Sequence, residues 1–230
     1  MLKEDFDLDD VILVCILQAC KVTGSLDTCK QMHFTIISAG CDQYPSLAVS
    51  LISTYGSCSD TVNAEAIFDE LYISEIITWT ACMTGHAEAG HSFTSLYLFE
   101  QLKLAGLQPD GVSFTTILAA CCHTGLVREG LDYFISMSRD YGVVLESYHY
   151  GILIDMFGRV GDFNKIENML QNIFVQTDMS VWLCLLGACR SHGNLELAKR
   201  AFDHAICLHP EQGSAYVFLS NIYADGFQDE

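Results

Sequence analysis

The sequence predicts an all-α solenoid of helix-turn-helix repeats, and three observations carry that expectation. A short motif recurs in one register: Ile16-Leu17-Gln-Ala19-Cys20 with Gly24, Ile117-Leu118-Ala-Ala120-Cys121 with Gly125, and Leu185-Leu186-Gly-Ala188-Cys189 with Gly193. Between those copies the cysteine place is held by Tyr55, His86 and Phe157, and the glycine place by Ser59, Gly90 and Gly161, giving glycine-place spacings of 35, 31, 35, 36 and 32 residues. Half of the residues are apolar and only three are proline, so helices with neighbours on both flanks have enough apolar surface to cover each other. A period in this range is the mark of a repeat array in which each unit is one supersecondary piece.

Each unit reads as an apolar-periodic stretch of about three turns, a small residue, and a second periodic stretch ending near another turn. The second helices are marked by a large residue nine positions after the glycine place: His33, Phe68, Phe99, Phe134, Leu170 and Phe202. Five positions after the glycine place stand Cys29, Ala64, Ser95, Gly130, Ile166 and Ala198, mostly small side chains that let helices approach, with Ile166 breaking the rule. The third hairpin closes on Ala105-Gly106-Leu-Gln-Pro109-Asp110, where Asp110 is suited to cap a helix beginning at Gly111.

Composition narrows the function classes. Val11 to Leu17 is the longest apolar run near the start, far short of the roughly 20 residues that cross a bilayer. The acidic opening over 1–10 lacks the basic start of a secretory signal and the Arg-rich face of a transit peptide, so no targeting address is visible. Eleven cysteines form an odd set with no Cys-x-x-Cys pair, which favours buried thiols in a reducing compartment over a disulfide framework. Cys121, Cys122 and His123 adjoin, but a structural zinc site wants paired ligands at regular spacing from two turns, and no metal or other cofactor is expected. The formal net charge is −18, and no Lys or Arg stands between Lys30 and Lys103, so an unspecific grip on a polyanion cannot come from that stretch.

Units of 31 to 36 residues that carry Ser-Glu-Ile-Ile-Thr-Trp-Thr80, Leu-Gln-Pro-Asp110 and Gly111-Val-Ser-Phe-Thr-Thr-Ile-Leu118 resemble plant pentatricopeptide repeat (PPR) proteins of the mixed-length PLS subclass, over nearly the whole chain. The resemblance implies a right-handed superhelical solenoid, TPR-like in its hairpins. It divides the chain into the tail of a preceding repeat at 1–9 and five PPR repeats at 10–44, 45–75, 76–110, 111–146 and 147–178. Over 179–212, Val181-Trp-Leu-Cys-Leu-Leu-Gly-Ala-Cys-Arg-Ser-His-Gly-Asn194 resembles the first E-type motif that ends such proteins. Ser214-Ala-Tyr-Val-Phe-Leu-Ser-Asn-Ile-Tyr-Ala224 resembles the opening of a second that stops after one helix, as in a fragment or shortened product.

The resemblance implies sequence-selective binding of single-stranded RNA in the mitochondrion or chloroplast, as the targeting part of C-to-U RNA editing, with protein editing factors met through the C-terminal motifs. Repeat proteins of this kind read one base per unit with two or three side chains. In the family the readers are a unit's fifth and last residues, which here pair Val14 with Tyr44, Val49 with Glu75, Thr80 with Asp110, Thr115 with Glu146, and Gly151 with Asp178. Only Thr80 with Asp110 matches a code pair of the family, one that resembles the guanine-preferring type; the other reading is that Thr80 lies in an exposed first turn and Asp110 only caps the next helix. Gly151 offers no side chain and Val14 and Val49 no hydrogen bond, so with the acidic balance weak RNA affinity is expected.

His86-Ala-Glu88 matches half of a zinc deaminase signature, but no Pro-Cys-x-x-Cys follows, and His86 falls at the core place of Cys20. No Gly-rich phosphate loop or Gly-x-Ser-x-Gly elbow occurs, so no enzyme activity and no small-molecule substrate are expected. The rival class is a protein-interaction solenoid with little RNA binding of its own. Ala198, Phe202, Ala205, Leu208-His-Pro210, Tyr216, Leu219, Asn221 and Tyr223 also resemble a tetratricopeptide repeat, whose units hold peptides or partner helices in a groove.

Overall fold

The computed structural model describes residues 10–41, 44–71, 75–172, 178–211 and 213–226, and these form thirteen α-helices with no strand among the described residues. They are α1 (Asp10–Thr23), α2 (Leu26–Ser38), α3 (Pro45–Ser57), α4 (Thr61–Glu70), α5 (Ile76–Glu88), α6 (Ser92–Leu104), α7 (Gly111–Thr124), α8 (Val127–Arg139), α9 (Ser147–Arg159), α10 (Phe163–Asn172), α11 (Met179–Ser191), α12 (Leu195–Leu208) and α13 (Gly213–Gly226). The fold is all-α and built of helical hairpins, as the sequence predicts. The segment 1–9, expected to be the tail of a further repeat, lies outside the described residues.

The turn inside each hairpin follows from one backbone requirement. All six glycine-place residues have positive φ: Gly24 at 63°, Ser59 at 60°, Gly90 at 82°, Gly125 at 72°, Gly161 at 72° and Gly193 at 66°. A left-handed residue after the first helix reverses the chain so that the second helix can return, and glycine reaches that conformation without a Cβ penalty. Ser59 is the only described non-glycine residue with positive φ, so the hairpin geometry overrides the side-chain preference there.

The chain divides into two compact units, Met1–Ala120 and Cys121–Glu230. In the first, the leading helices α1, α3 and α5 pack in series, and α2, α4 and α6 each return against their own leading helix. Its core is made by Leu13, Leu17 and Cys20 of α1, Cys29 and Ile36 of α2, and Leu47, Leu51, Ile52 and Tyr55 of α3. Burying an aliphatic side chain of this size stabilises a fold by about 1.5–3 kcal/mol, so each of these residues contributes on that scale. The Tyr55 hydroxyl reaches His33 Nδ1 at 2.9 Å, which satisfies the one polar tip among these residues.

In the second unit α9 packs on α11, α11 on both α12 and α13, and α12 on α13. Leu153, Ile154, Met156 and Phe157 of α9 meet a core that includes Val181, Leu185, Leu186 and Cys189 of α11 and Ala198, Ala201 and Ala205 of α12. All six residues at the cysteine place, Cys20, Tyr55, His86, Cys121, Phe157 and Cys189, are buried, and so are all six at the small place, Ile166 included. Burial pushes the Cys121 and Cys189 thiols up to about 12, so these are packing groups and not thiolates.

Candidate nucleic-acid interface

The residues expected to read bases fall into two structural places. Val14, Val49, Thr80, Thr115 and Gly151 lie within the leading helices α1, α3, α5, α7 and α9, a little more than one turn from the start. Tyr44, Glu75, Glu146 and Asp178 are the N-cap residues of α3, α5, α9 and α11, and Asp110 does the same for α7, its Oδ1 accepting from Ser113 N at 2.8 Å. A unit's last residue is thus always the cap of the following leading helix. All five caps are exposed, which leaves their side chains within reach of a ligand.

Their chemistry differs. Tyr44, Glu75 and Asp178 make no side-chain cap bond. Glu146 is engaged in a reciprocal capping box: its carboxylate accepts from the His149 backbone while its own N–H donates to His149 Nδ1 at 3.0 Å. Gly151 is buried, and a Cβ there would meet Cys184 Sγ at 3.8 Å, so a side chain at that place would face packed protein.

Thr80 and Asp110 are brought together. Thr80 Oγ1 lies 2.8 Å from the Ile76 carbonyl, which accepts its proton, and 3.1 Å from Ser113 Oγ; Ser113 Oγ in turn donates to Asp110 Oδ1 at 2.8 Å. The expectation of an exposed first turn at Thr80 is corrected here: Thr80 is 7% exposed, because α7 packs its start over the second turn of α5 and Ser113 covers the hydroxyl. Capping and grouping with Thr80 are not alternatives for Asp110. Oδ1 caps α7, and Oδ2 has no partner among the described residues.

Thr80 and Asp110 line one cavity of about 280 Å³, together with Val49, Ser53, Thr84, Ile77 and Val112. Its size is just below the roughly 300–1,000 Å³ typical of small-molecule sites. Ile77 and Val112 are each 59% exposed, two apolar side chains at the second place of their units on the rim of a cavity that holds a carboxylate and a hydroxyl. Sequence reading missed them. The available signal was apolar residues off the core-facing stripe at the second place of a unit, where Val11 and Tyr148 are likewise exposed, while Ser46 and Ser180 interrupt the series.

His86, singled out as half of a deaminase signature, is 2% exposed, with Nε2 3.0 Å from Glu65 Oε1 and its ring 6.0 Å from that of His91. Burial holds its imidazole below the ordinary value, against the pull of Glu65, so it is a neutral interhelical residue. No group of three or more metal-ligating side chains occurs among the described residues.

The sequence model of the PPR repeat matches residues 77–107 and 112–141. Two relatives in Arabidopsis thaliana are the pentatricopeptide repeat-containing protein CRR2, chloroplastic, 32% identical over 98% of this chain and 35% of its own length, and the mitochondrial protein At1g06140, 35% identical over 98% of this chain and 40% of its own length. The chain therefore spans well under half of these relatives. In structure it is similar to a cysteine-to-serine variant of the pentatricopeptide repeat protein PPR10 solved in complex with an 18-nt psaJ RNA element. The TM-score is 0.76 at 17% identity, covering 96% of this chain and 33% of that one.

Proposed function

The chain belongs to the pentatricopeptide repeat family, and on that premise we propose that it binds single-stranded RNA along the starts of its leading helices, with guanine selected by Thr80 and Asp110. The observation that carries this reading is one cavity lined by Asp110, whose Oδ2 has no partner among the described residues, by Thr80, and by the exposed Ile77 and Val112. A base entering there would place its faces against apolar side chains and its edge against two oxygens. Stacking of that kind is worth about 1–3 kcal/mol per base and is blind to sequence. Selection then rests on the edge: guanine presents adjacent N1–H and N2–H donors, which a carboxylate accepts, whereas adenine presents an acceptor at N1. The likeness to a protein crystallised with RNA supports the same reading.

The test is titration with short single-stranded RNAs that differ at one guanine, across several salt concentrations. Asp110→Asn keeps an N-cap acceptor but turns an acceptor of the reading edge into a donor, so preference at a single nucleotide should shift by about tenfold while the helix stays capped. Equal binding to all RNAs, abolished together by salt, would refute base selection.

The finer role we propose is targeting of C-to-U RNA editing in the mitochondrion or chloroplast, with a separate protein editing factor recruited by the C-terminal helices. One observation favours a protein-contact role for that end. Trp182 stacks on His204, ring centroids 4.5 Å apart, beside a cavity of about 300 Å³ that Leu170, Leu197 and the Arg200–Glu167 ion pair also line. An aromatic and an arginine beside a hollow of mixed polar and apolar lining are residue types enriched at protein contacts.

A further inference from the structure

We infer that Ser113, the third residue of the following unit, sets the base preference of the Thr80–Asp110 place by tying the two into one rigid acceptor face. The inference rests on the RNA-reading proposal and deepens it. Three short contacts meet at Ser113: Thr80 Oγ1 to Ile76 O at 2.8 Å, Thr80 Oγ1 to Ser113 Oγ at 3.1 Å, and Ser113 Oγ to Asp110 Oδ1 at 2.8 Å. The two hydroxyls supply two protons for these three contacts. The Ser113 proton belongs to the carboxylate, the strongest acceptor within reach. The Thr80 proton is then shared between the Ile76 carbonyl and Ser113 Oγ. In either position it is spent inside the protein, so Thr80 turns a lone pair, not a proton, toward an entering base.

Ser113 also holds the carboxylate. Its N–H and its O–H both donate to Oδ1, each at 2.8 Å, which anchors that oxygen and leaves Oδ2 as the one without a partner among the described residues. The place so built offers two acceptors and no donor, which fits an edge with two adjacent donors and opposes adenine, whose N1 lone pair would face the lone pairs of the site. Ser113 is 0% exposed and touches no base itself, so it is a positioning residue. The third residues of the other units do not reproduce the bridge. Leu47 and Val181 carry no hydroxyl, Thr78 follows Glu75, which makes no side-chain cap bond, and His149 offers a ring nitrogen to the Glu146 backbone.

The experiment is selection from a short randomised single-stranded RNA pool by the intact chain and by Ser113→Ala, with thermal unfolding of both. The backbone bond from residue 113 to Asp110 survives the substitution, so the cap persists. The guanine-to-adenine enrichment ratio at the one selected position should fall by about five- to tenfold, the scale of one net hydrogen bond, with binding of guanine-free RNA unchanged. Ser113→Thr, which keeps the hydroxyl, should retain the ratio. If Ser113 were only a second capping donor, Ser113→Ala would lower the unfolding temperature and leave the ratio intact, and that result overturns the inference while RNA reading stands. If the intact chain enriches guanine nowhere, RNA reading falls and this inference with it.

Discussion

Replacing Gly56 by Ala should destabilise the first unit, and the size follows from the crossing of α3 and α5. A Cβ on Gly56 would lie 2.3 Å from Gly85 Cα and 3.1 Å from Gly85 C, and both neighbours are backbone. Carbon atoms prefer about 3.5–4.0 Å, so the two helices must part by more than about 1 Å. Ile52 and Tyr55 on α3, and Cys82 and Met83 on α5, are buried in the same layer and lose contact as the helices separate. A gap of that size forfeits about a quarter to a half of each contact, and overpacking of this kind costs about 1–3 kcal/mol or more. Alanine returns about 1 kcal/mol through its better helix propensity, and because both clashing neighbours are backbone the upper end of that range applies, leaving a net loss of about 2 kcal/mol. Urea unfolding followed by circular dichroism measures it. Gly187→Ala is the control, since a Cβ there meets only Phe218 Cε1 at 3.9 Å and should stabilise α11. A Gly56→Ala chain as stable as the parent would refute the close approach of α3 and α5.

Ser59→Gly should raise stability by about 1 kcal/mol, because it removes the cost of a side chain at φ 60° and a calorimetric Tm reads it directly. The His86 imidazole, held low by burial, sets a pH dependence. The unfolded chain takes up a proton near the ordinary value of 6.5 and the folded chain resists it, so stability is complete above that pH and is lost as the pH falls below it. His86→Cys, with the residue that three other units carry at this place, should flatten the acid side of the stability profile measured by urea midpoints; an unchanged slope would assign it to other groups such as His33, also held low by burial.

What could be read from the sequence was local or periodic. The left-handed turn was legible even at Ser59, because the residues five and nine places later kept the register when glycine was missing. The cap at Asp110 was legible because capping is decided within four residues. Contacts between successive hairpins were not. Gly85 stands at the alanine place of the recurring motif and Gly56 one residue after the cysteine place, as Gly158 does opposite Ala188, but that these two places touch emerges only when successive leading helices cross. Ser113 reads as one more small residue in a first turn until α5 brings Thr80 to 3.1 Å from it. Ile77 and Val112 count as core in an apolar tally and become rim residues only when the core-facing stripe is known.

The acidic balance sets the terms on which this chain could hold RNA. Several of its few cations are already committed: Lys30 to Asp60 at 3.1 Å, Lys103 to Glu100 at 2.7 Å, Lys165 to Asp162 at 2.8 Å and Arg200 to Glu167 at 2.6 Å. On the proposed reading phosphates would therefore gain little from this surface, and the sequence-independent part of binding would be small. Stacking and base-edge contacts remain, and they act only where apolar second-place residues flank a polar pair. Of the five pairs proposed to read bases, Thr80 with Asp110 has that arrangement, linked through Ser113 and sharing a cavity with Ile77 and Val112. On the proposed reading, such a surface would bind weakly but discriminate well for the affinity it has, since little of its binding would be shared by every RNA. Discrimination then grows by adding units with the same arrangement, and adding charge would raise affinity for all sequences alike.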